Sequence, residues 1–336
     1  MVNVGILSTG VYIPQTSISA GEIAAAANIP KLIVEQKLGI KKKPVPSKED
    51  HTCYMGILGA KRAIEKSGIH PAEIDVVIYI GEEYKEYPVW TVAIKLQQEI
   101  GAINAWAFDT ALRCGTTIMA LKLAKSLMQS DATIHTILLA GGYRNGDLVS
   151  YKNDRTRFLF NLAAGGGAIL LKKELGENLV LGTSLKTDGR FTEDVIVKGG
   201  GTKHPISQKM IDENMHMFDV PDPEGMKARL EEVSMKNFLY VIRKALDDSG
   251  YSEIEIDYLA ILHMKRSAHQ YVLTELGLAE SQSIYLEEYG HIGQFDQILS
   301  LELALESGKV KSGDLVVFVS AGIGYTWGAS VIKWGT

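Results

Sequence analysis

The feature that most constrains this chain is an internal repeat. Residues 61–81, KRAIEKSGIHPAEIDVVIYIG, correspond to residues 243–263, RKALDDSGYSEIEIDYLAILH, at one constant offset of 182 positions. Each copy has a helix end, a Ser-Gly stop, a short acidic loop and a continuous apolar run that is typical of a strand. Because this run does not alternate with polar residues, we expect both faces of the strand to be buried under helices. The repeat therefore predicts a duplicated α/β unit.

A second correspondence extends the duplication over the rest of the chain. Cys114 precedes a helical pattern and then an apolar strand, and His291 precedes the same succession. Alternating helices and strands place the chain in the α/β class, in which mixed sheets are common. We expect two pseudo-symmetric halves, residues 1–173 and 174–336, each with a mixed sheet.

The composition excludes several classes of function. The 336-residue chain is 46% apolar and carries a net charge of −5, which argues against nucleic-acid or membrane-surface binding. The short basic run Lys41–Lys43 is interpreted as a solvated face. The chain contains neither a run of about eighteen apolar residues nor a recognisable signal peptide. Two cysteines, Cys53 and Cys114, form no disulfide framework, so we expect a cytoplasmic protein that holds no metal.

Cys114 is the first candidate for chemistry. The apolar run 105–110 predicts a strand, so Cys114 falls in the turn between a strand and a helix N-terminus. Free N–H groups and the helix dipole stabilise an anion there, and Arg113 adds a cation. This environment suits a nucleophilic thiolate. Position alone leaves the alternative open, in which Cys114 is a small buried hydrophobic residue.

Two of the eight histidines occupy special positions. His263 ends the predicted strand 256–262, and His291 directly precedes a helix, at a position that the repeat relates to Cys114. Functional groups emerge at the carboxyl ends of strands in α/β sheets. Because a thiol nucleophile needs a proton-handling partner, we expect both histidines to meet Cys114 between the halves. Each histidine taken singly also fits a role in the core.

The glycine-containing segment 321–330, AGIGYTWGAS, follows another predicted strand. Glycines let the backbone turn sharply and present N–H groups inward. The N–H groups of Ile323 and Gly324, together with that of Cys114, are a candidate oxyanion hole for a thioester carbonyl. A phosphate-binding loop is the alternative, although the Walker lysine is missing.

Five blocks along the chain occur together in a recognisable order: ILSTGVYIP, AFDTALRCGTT, SLKTDGR, GDLVVFVSAGIG and TWGASVIKW. With these blocks the chain resembles the thiolase superfamily, and within it the ketoacyl-synthase-III-like branch. The resemblance implies a five-layered αβαβα fold and a homodimer. It also implies that Cys114 carries an acyl group, which a malonyl-type thioester attacks in a Claisen condensation. Acyl-CoA or acyl-carrier-protein thioesters are then the substrates, in fatty acid biosynthesis, and no cofactor is bound permanently.

Two departures from the family pattern stand out. The family's His-Gly-Asn-Thr motif is replaced by Tyr-Gly-His-Ile at 289–292, so the resemblance implies a Cys114, His263 and His291 triad. The segment that holds the coenzyme A adenine in the family appears as IVEQKLGI, 33–40, without its tryptophan and arginine. An acyl carrier protein or another thioester is therefore an alternative donor.

Three residues are assigned to the substrate pocket. Tyr87 matches the family's aromatic residue at the acyl pocket, Arg113 adjoins the cysteine, and Phe218 lies in the methionine-rich stretch MHMFDV, 215–220. Ordinary packing explains that stretch equally well.

Three other functions remain open from the sequence. A condensation without decarboxylation, as in hydroxymethylglutaryl-CoA synthases, would use Glu83 as acid or base. Transfer of the acyl group to a hydroxyl or an amine needs no condensation at all. A catalytically silent partner subunit is the third, although such a protein would be expected to lose Cys114.

Overall fold

The computed structural model describes residues 2–336. Within that range the strands are β1 (Val4–Tyr12), β2 (Ser17–Ser19), β3 (Lys42–Pro44), β4 (Val76–Tyr79), β5 (Trp106–Asp109), β6 (Thr136–Tyr143), β7 (Gly165–Lys173), β8 (Leu179–Thr187), β9 (Ile196–Val197), β10 (Phe218–Asp219), β11 (Tyr258–Ile261), β12 (Leu315–Gly322) and β13 (Thr326–Lys333). The α-helices are α1 (Ala20–Ala27), α2 (Thr52–Ser67), α3 (Val92–Ile100), α4 (Thr116–Ser130), α5 (Gln208–Asp212), α6 (Pro223–Asp247), α7 (Arg266–Glu275) and α8 (Asp296–Glu306). A π-helical turn spans Ile33–Leu38.

The internal repeat forms the two helix-to-strand units that the sequence predicts. In the first copy α2 ends before Gly68, which has a φ of 70°, and the chain continues into β4. In the second copy α6 is followed by Gly250, with a φ of 76°, and then by β11. Both glycines adopt the left-handed conformation that closes a helix, so the duplicated Ser-Gly stops serve the same purpose.

The main sheet joins nine strands in the order β11-β12-β13-β8-β1-β7-β6-β4-β5. Strand β4 runs parallel to β5 and β6, and β11 runs parallel to β12, while the other pairings are antiparallel. Strands β1 and β8 are joined only through Gly5 and Leu179. The sheet therefore consists of two mixed parts that meet at one residue pair.

Helices on both sides of these two parts build five layers. Helices α2 and α3 cover the part formed by β1, β7, β6, β4 and β5, and α6 covers β8 and β13 with α7 beside it. Helices α4 and α8 lie between, because α4 contacts β6, β8 and β13 while α8 contacts β1, β7 and β11. The prediction of an αβαβα fold is confirmed. The division at residues 173 and 174 stays a prediction; it falls between β7 and β8.

The central layer carries the largest apolar core, and the site lies at its edge. Ile118 and Leu121 of α4 and Ile298 and Leu301 of α8 are buried there. Two smaller cores fill the spaces under the outer helices. None of the helices between residues 2 and 336 combines the length and the apolar character needed to cross a membrane.

Candidate active site

Cys114 lies in a tight turn between β5 and α4. Arg113 has a φ of 50°, in the left-handed region that non-glycine residues rarely adopt. Thr116 stabilises this turn, because its hydroxyl donates to the Arg113 carbonyl at 2.6 Å and accepts from the Leu112 N–H at 2.8 Å. The turn brings Cys114 to the start of α4, where its side chain is buried with 7% exposed.

A chain of three side chains starts at this thiol. His291 Nε2 lies 3.1 Å from Cys114 Sγ, and His291 Nδ1 donates to Asp296 Oδ2 at 2.6 Å. All three residues are buried, and Asp296 has no exposed surface. A nucleophile, a base and a carboxylate that orients the base are the parts of a nucleophilic triad. The arrangement can therefore generate and hold a thiolate.

The backbone of His291 is fixed by pairing with a neighbouring segment. The His291 N–H donates to the Asn161 carbonyl at 2.8 Å, and the Ala163 N–H donates to the His291 carbonyl at 2.9 Å. Gly290 has a φ of 62°, and a side chain there would come within 2.6 Å of the Asn161 carbonyl. The glycine that precedes His291 is thus required both by its conformation and by the close approach of the backbone.

Asp296 joins both histidines. Its Oδ2 also accepts the backbone N–H of His263 at 2.7 Å, and its Oδ1 accepts the N–H of Ile292 at 2.8 Å. Burial of the His291 ring opposes its protonation, but the Asp296 carboxylate and the Cys114 thiolate outweigh burial and raise the pKa of His291 well above its usual value. The His291 ring is therefore suited to hold the proton that the thiol gives up.

His263 has a different environment. Its Nδ1 accepts from the Asn161 side-chain amide at 3.0 Å, and its Nε2 donates to the Gly39 carbonyl at 3.0 Å. These two partners specify the neutral tautomer with the proton on Nε2. Burial lowers the pKa of His263 to about 4. At neutral pH His263 is accordingly an uncharged hydrogen-bond donor.

The glycine loop after β12 approaches Cys114 from the other side. A side chain at Gly322 would come within 3.0 Å of the Cys114 nitrogen, and the Ser320 hydroxyl donates to the Cys114 carbonyl. Ile323 and Gly324 directly follow Gly322 in the chain. Their role with Cys114 in an oxyanion hole stays a prediction, and the position of the loop supports it.

The two glutamates after β4, Glu82 and Glu83, differ from each other in burial. The Glu83 side chain is 62% exposed and pairs with Arg113 Nη1 at 2.8 Å. The Glu82 side chain is 2% exposed, and its Oε2 lies 3.4 Å from the same nitrogen. Burial raises the pKa of Glu82, which suits a carboxyl that exchanges protons. The role of Glu83 as acid or base stays a prediction, and Glu82 becomes a second candidate because the chain turns it inward as it leaves the strand.

The three pocket residues are placed separately. Arg113 adjoins Cys114 and is held by the two glutamates. Tyr87 is exposed and packs edge-to-face on Trp90, with ring centroids 5.3 Å apart. Phe218 is buried in β10, where it pairs with Val197. Within one chain the structure brings only Arg113 next to the cysteine, and the pocket roles of Tyr87 and Phe218 stay predictions.

Three site residues were not found from the sequence. Asp296 had a weak signal, since it opens the helix after His291, one turn from the ring that it holds. Glu82 directly precedes Glu83, and the sequence alone does not distinguish two adjacent identical residues. Asn161 had no signal, because its contact with His263 joins positions that are 102 residues apart. Among residues 2–336 no group of three His, Cys, Asp or Glu side chains is arranged to hold a metal.

Comparison with known families gives two matches that contain these residues. The model of 3-oxoacyl-[acyl-carrier-protein (ACP)] synthase III matches residues 108–189, and the model of its C-terminal part matches residues 246–334. The first range contains Cys114, and the second contains both histidines.

Similar proteins align over nearly the whole chain. Beta-ketoacyl-[acyl-carrier-protein] synthase III of Clostridium tetani is 28% identical over 339 residues, covering 98% of both chains. The protein of the same name from Caldanaerobacter subterraneus is 25% identical over 331 residues, covering 98% of this chain and 97% of that one. The crystal structure of 3-oxoacyl-[acyl-carrier-protein] synthase III from Aquifex aeolicus superposes with a TM-score of 0.82 at 22% identity, covering 98% of this chain and all of that one.

Proposed function

Since the chain belongs to the 3-oxoacyl-[acyl-carrier-protein] synthase III family, we propose that it is an acyl-transferring condensing enzyme in which Cys114 carries the acyl group. The substrates are acyl-CoA or acyl-carrier-protein thioesters, and the acceptor is a malonyl-type thioester. One observation carries the proposal: the thiol, His291 and Asp296 form a continuous chain with contacts of 3.1 and 2.6 Å.

The first step is acylation of the cysteine. His291 takes the proton of Cys114, and Asp296 stabilises the imidazolium that forms. The thiolate attacks the carbonyl carbon of the incoming thioester, and the N–H groups of Cys114 and of the loop at Ile323 and Gly324 stabilise the oxyanion. The carbon–sulfur bond of the donor then breaks, and the CoA or carrier thiol leaves with the proton from His291.

The second step forms the carbon–carbon bond. The malonyl-type thioester loses carbon dioxide, and the electron pair of the broken bond forms an enolate. The neutral His263 ring supplies the N–H that stabilises the enolate oxygen, because the single N–H of neutral His291 is bonded to Asp296. The enolate carbon attacks the acyl carbonyl, and the Cys114 thiolate is released. For His263 to take part, its N–H must exchange the Gly39 carbonyl for the oxygen of the substrate.

The partners follow from the same assignment. We expect a homodimer, since several large apolar side chains near β4 and β5 are exposed in the single chain: Tyr87, Val89, Ile94 and Trp106. The cytoplasm is the expected compartment, because Cys53 and Cys114 are both free thiols.

A second function is favoured by the hydrogen bonds of His263. Both of its ring nitrogens are already bonded to protein groups, so only His291 is directed at the thiol. One imidazole is sufficient for acyl transfer to a hydroxyl or an amine. The raised pKa of Glu82 also permits a condensation without decarboxylation, in which a carboxyl moves the proton.

Intact-protein mass spectrometry tests these functions. The enzyme is incubated with a panel of acyl-CoAs and then with malonyl-CoA or malonyl carrier protein. A Cys114 adduct that is discharged with release of carbon dioxide supports the decarboxylating condensation. An adduct discharged without carbon dioxide favours the second function, and its product distinguishes an ester or amide from a new carbon–carbon bond.

The two cysteines provide matched controls. Cys114→Ala is expected to remove the adduct, and Cys53→Ala, at the other buried thiol, is expected to retain it. Acylation that persists in Cys114→Ala would contradict the assignment of Cys114 as the acyl carrier. The absence of an adduct with every primer would favour a silent partner subunit or a carrier-bound substrate.

A further inference from the structure

Lys43 is a buried lysine close to the backbone that carries His291. It is the third residue of the run Lys41–Lys43, and the interpretation of that run as a solvated face is wrong at this position. Lys41 and Lys42 are exposed and pair with Glu287 and Glu288 at 2.7 and 3.6 Å. Lys43 is 1% exposed, because it lies in β3 with its side chain directed into the protein.

The amine of Lys43 has few partners. Its Nζ donates to the carbonyl oxygen of Leu162 at 2.5 Å and lies 5.4 Å from the centre of the Tyr151 ring. Within residues 2–336 no carboxylate lies close enough to form an ion pair with it. Burial lowers the pKa of Lys43 to about 7. An apolar side chain of similar length would avoid this desolvation cost, so stability alone does not account for a lysine here.

The position of Leu162 supplies a reason for the lysine. Leu162 lies between Asn161 and Ala163, whose backbone groups bond both the N–H and the carbonyl of His291. The side chain of Asn161 also bonds His263. The segment 161–163 therefore holds both histidines, and the Lys43 amine bonds its central carbonyl.

The stem of Lys43 also lies close to the turn at Gly290, which leads into His291. A side chain at Gly290 would come within 3.1 Å of Lys43 Cβ. The lysine thus passes beneath the turn that leads into His291 and ends on the segment paired with that residue. Movement of either part would change the distance of 3.1 Å between His291 Nε2 and Cys114 Sγ.

We infer that Lys43 is a positioning residue for His291: its hydrogen bond to the Leu162 carbonyl holds segment 161–163 and thereby keeps the imidazole against Cys114. This inference rests on the part that His291 has in the proposed function. Lys43 contacts neither the thiol nor the ring, so it acts only through the backbone that it fixes.

The rate at which iodoacetamide alkylates Cys114 tests the inference, because only the thiolate reacts. Lys43→Met removes the donor and keeps the apolar stem. At neutral pH we expect the rate to fall roughly tenfold, since a displaced base ionises the thiol less well. The pH profile of the rate should shift to higher pH, because the thiol then ionises without a correctly placed base. Alkylation is assigned to Cys114 by peptide mass spectrometry.

Two comparisons separate positioning from general weakening of the fold. Lys125 is a partly buried lysine on α4 that donates to the Val180 and Leu181 carbonyls at 2.7 and 2.8 Å, and Lys125→Met is expected to leave the rate and its pH profile unchanged. In a His291→Ala background, Lys43→Met should have no further effect, because the residue through which it acts is gone.

The following outcomes would overturn the role of Lys43 in positioning His291. An unchanged pH profile in folded Lys43→Met overturns the inference. A loss of alkylation rate in the His291→Ala background that equals the loss in the wild-type background also overturns it. If Lys43→Met does not fold, Lys43→Gln, whose amide is too short to reach the Leu162 carbonyl, is judged by the same results. If His291→Ala itself leaves alkylation unchanged, the proposed role of His291 fails, and this outcome differs from a failure at Lys43 alone.

Discussion

The two histidines of the site are almost equally buried, with 4% of His291 and 3% of His263 exposed, yet their protonation is driven in opposite directions. His291 faces a carboxylate and a thiol, and its pKa is raised. His263 faces an amide and a carbonyl, and burial lowers its pKa to about 4. At equal burial the charge of the partners decides whether an imidazole accepts a proton. One ring is thereby suited to be a base, and the other to be a neutral donor.

The largest effect is expected when this difference is removed. Asp296→Asn removes the carboxylate beside His291, so His291 loses the group that most stabilises its charged form. We expect the single-turnover rate of Cys114 acylation to fall about 10³-fold. The variant should also melt at a lower temperature, because the asparagine NH2 cannot accept the N–H groups that both carboxylate oxygens accept in the wild type. Acylation at the wild-type rate would show that the carboxylate is not needed.

A smaller effect, confined to the discharge step, is expected when His263 is replaced. His263→Ala removes a neutral donor but leaves the chain from Cys114 to Asp296 in place. Acylation should remain within about threefold of wild type, while discharge of the adduct by a malonyl donor falls about 10²-fold. Rapid-quench mass spectrometry follows both steps separately. Equal losses of rate in acylation and in discharge would contradict separate roles for the two rings.

Asn161→Ala tests the environment of His263 more finely, because it changes the hydrogen bonding of His263 without removing the ring. The amide donor to Nδ1 is lost, and only the Gly39 carbonyl still favours the tautomer with the proton on Nε2. The discharge step should slow roughly tenfold, as for other residues that orient a functional imidazole. Asn153→Ala, at an asparagine in another loop, is the matched control and should show no change in discharge.

The smallest effect at neutral pH concerns stability. His263 binds its proton more weakly when folded, so the free energy of unfolding should decline as the pH falls from about 6.5 to about 4, with ~3 kcal/mol from this residue. His291 has the opposite sign: its contribution is complete below about pH 6.5 and is lost as the pH rises through its raised pKa.

Chemical denaturation across this pH range checks the two signs. His263→Gln should flatten the acid decline. His291→Gln should leave that decline and remove the loss at higher pH. The reverse pattern would mean that the assignment of the two environments is wrong.

The sequence was most informative where local pattern decides the structure. The Ser-Gly stops and apolar runs of the repeat predicted two helix-to-strand units, and α2 with β4 and α6 with β11 are those units. The positions of Cys114 and His291 at helix starts predicted that they meet, and they do; His263, which was expected to meet Cys114 as well, instead bonds Asp296 through its backbone N–H.

The parts that were missed depend on contacts between distant segments. The burial of Lys43 is set by segment 161–163, and a run of lysines alone indicates a solvated face. Asn161 meets His263 only after the two halves pack together. The choice between Glu82 and Glu83 depends on how the chain turns after β4, which two adjacent identical residues do not reveal. Periodicity predicts elements, but these choices belong to tertiary packing.

The most direct test of the account compares the acylation of Cys114 by one acyl-CoA in wild type, His291→Ala and His263→Ala. Intact mass gives the amount of thioester formed in a single turnover, before any donor is added. We expect His291→Ala to acylate far more slowly than wild type, and His263→Ala to acylate at nearly the wild-type rate. Normal acylation in His291→Ala, or its loss in His263→Ala alone, would show that His291 is not the base for Cys114.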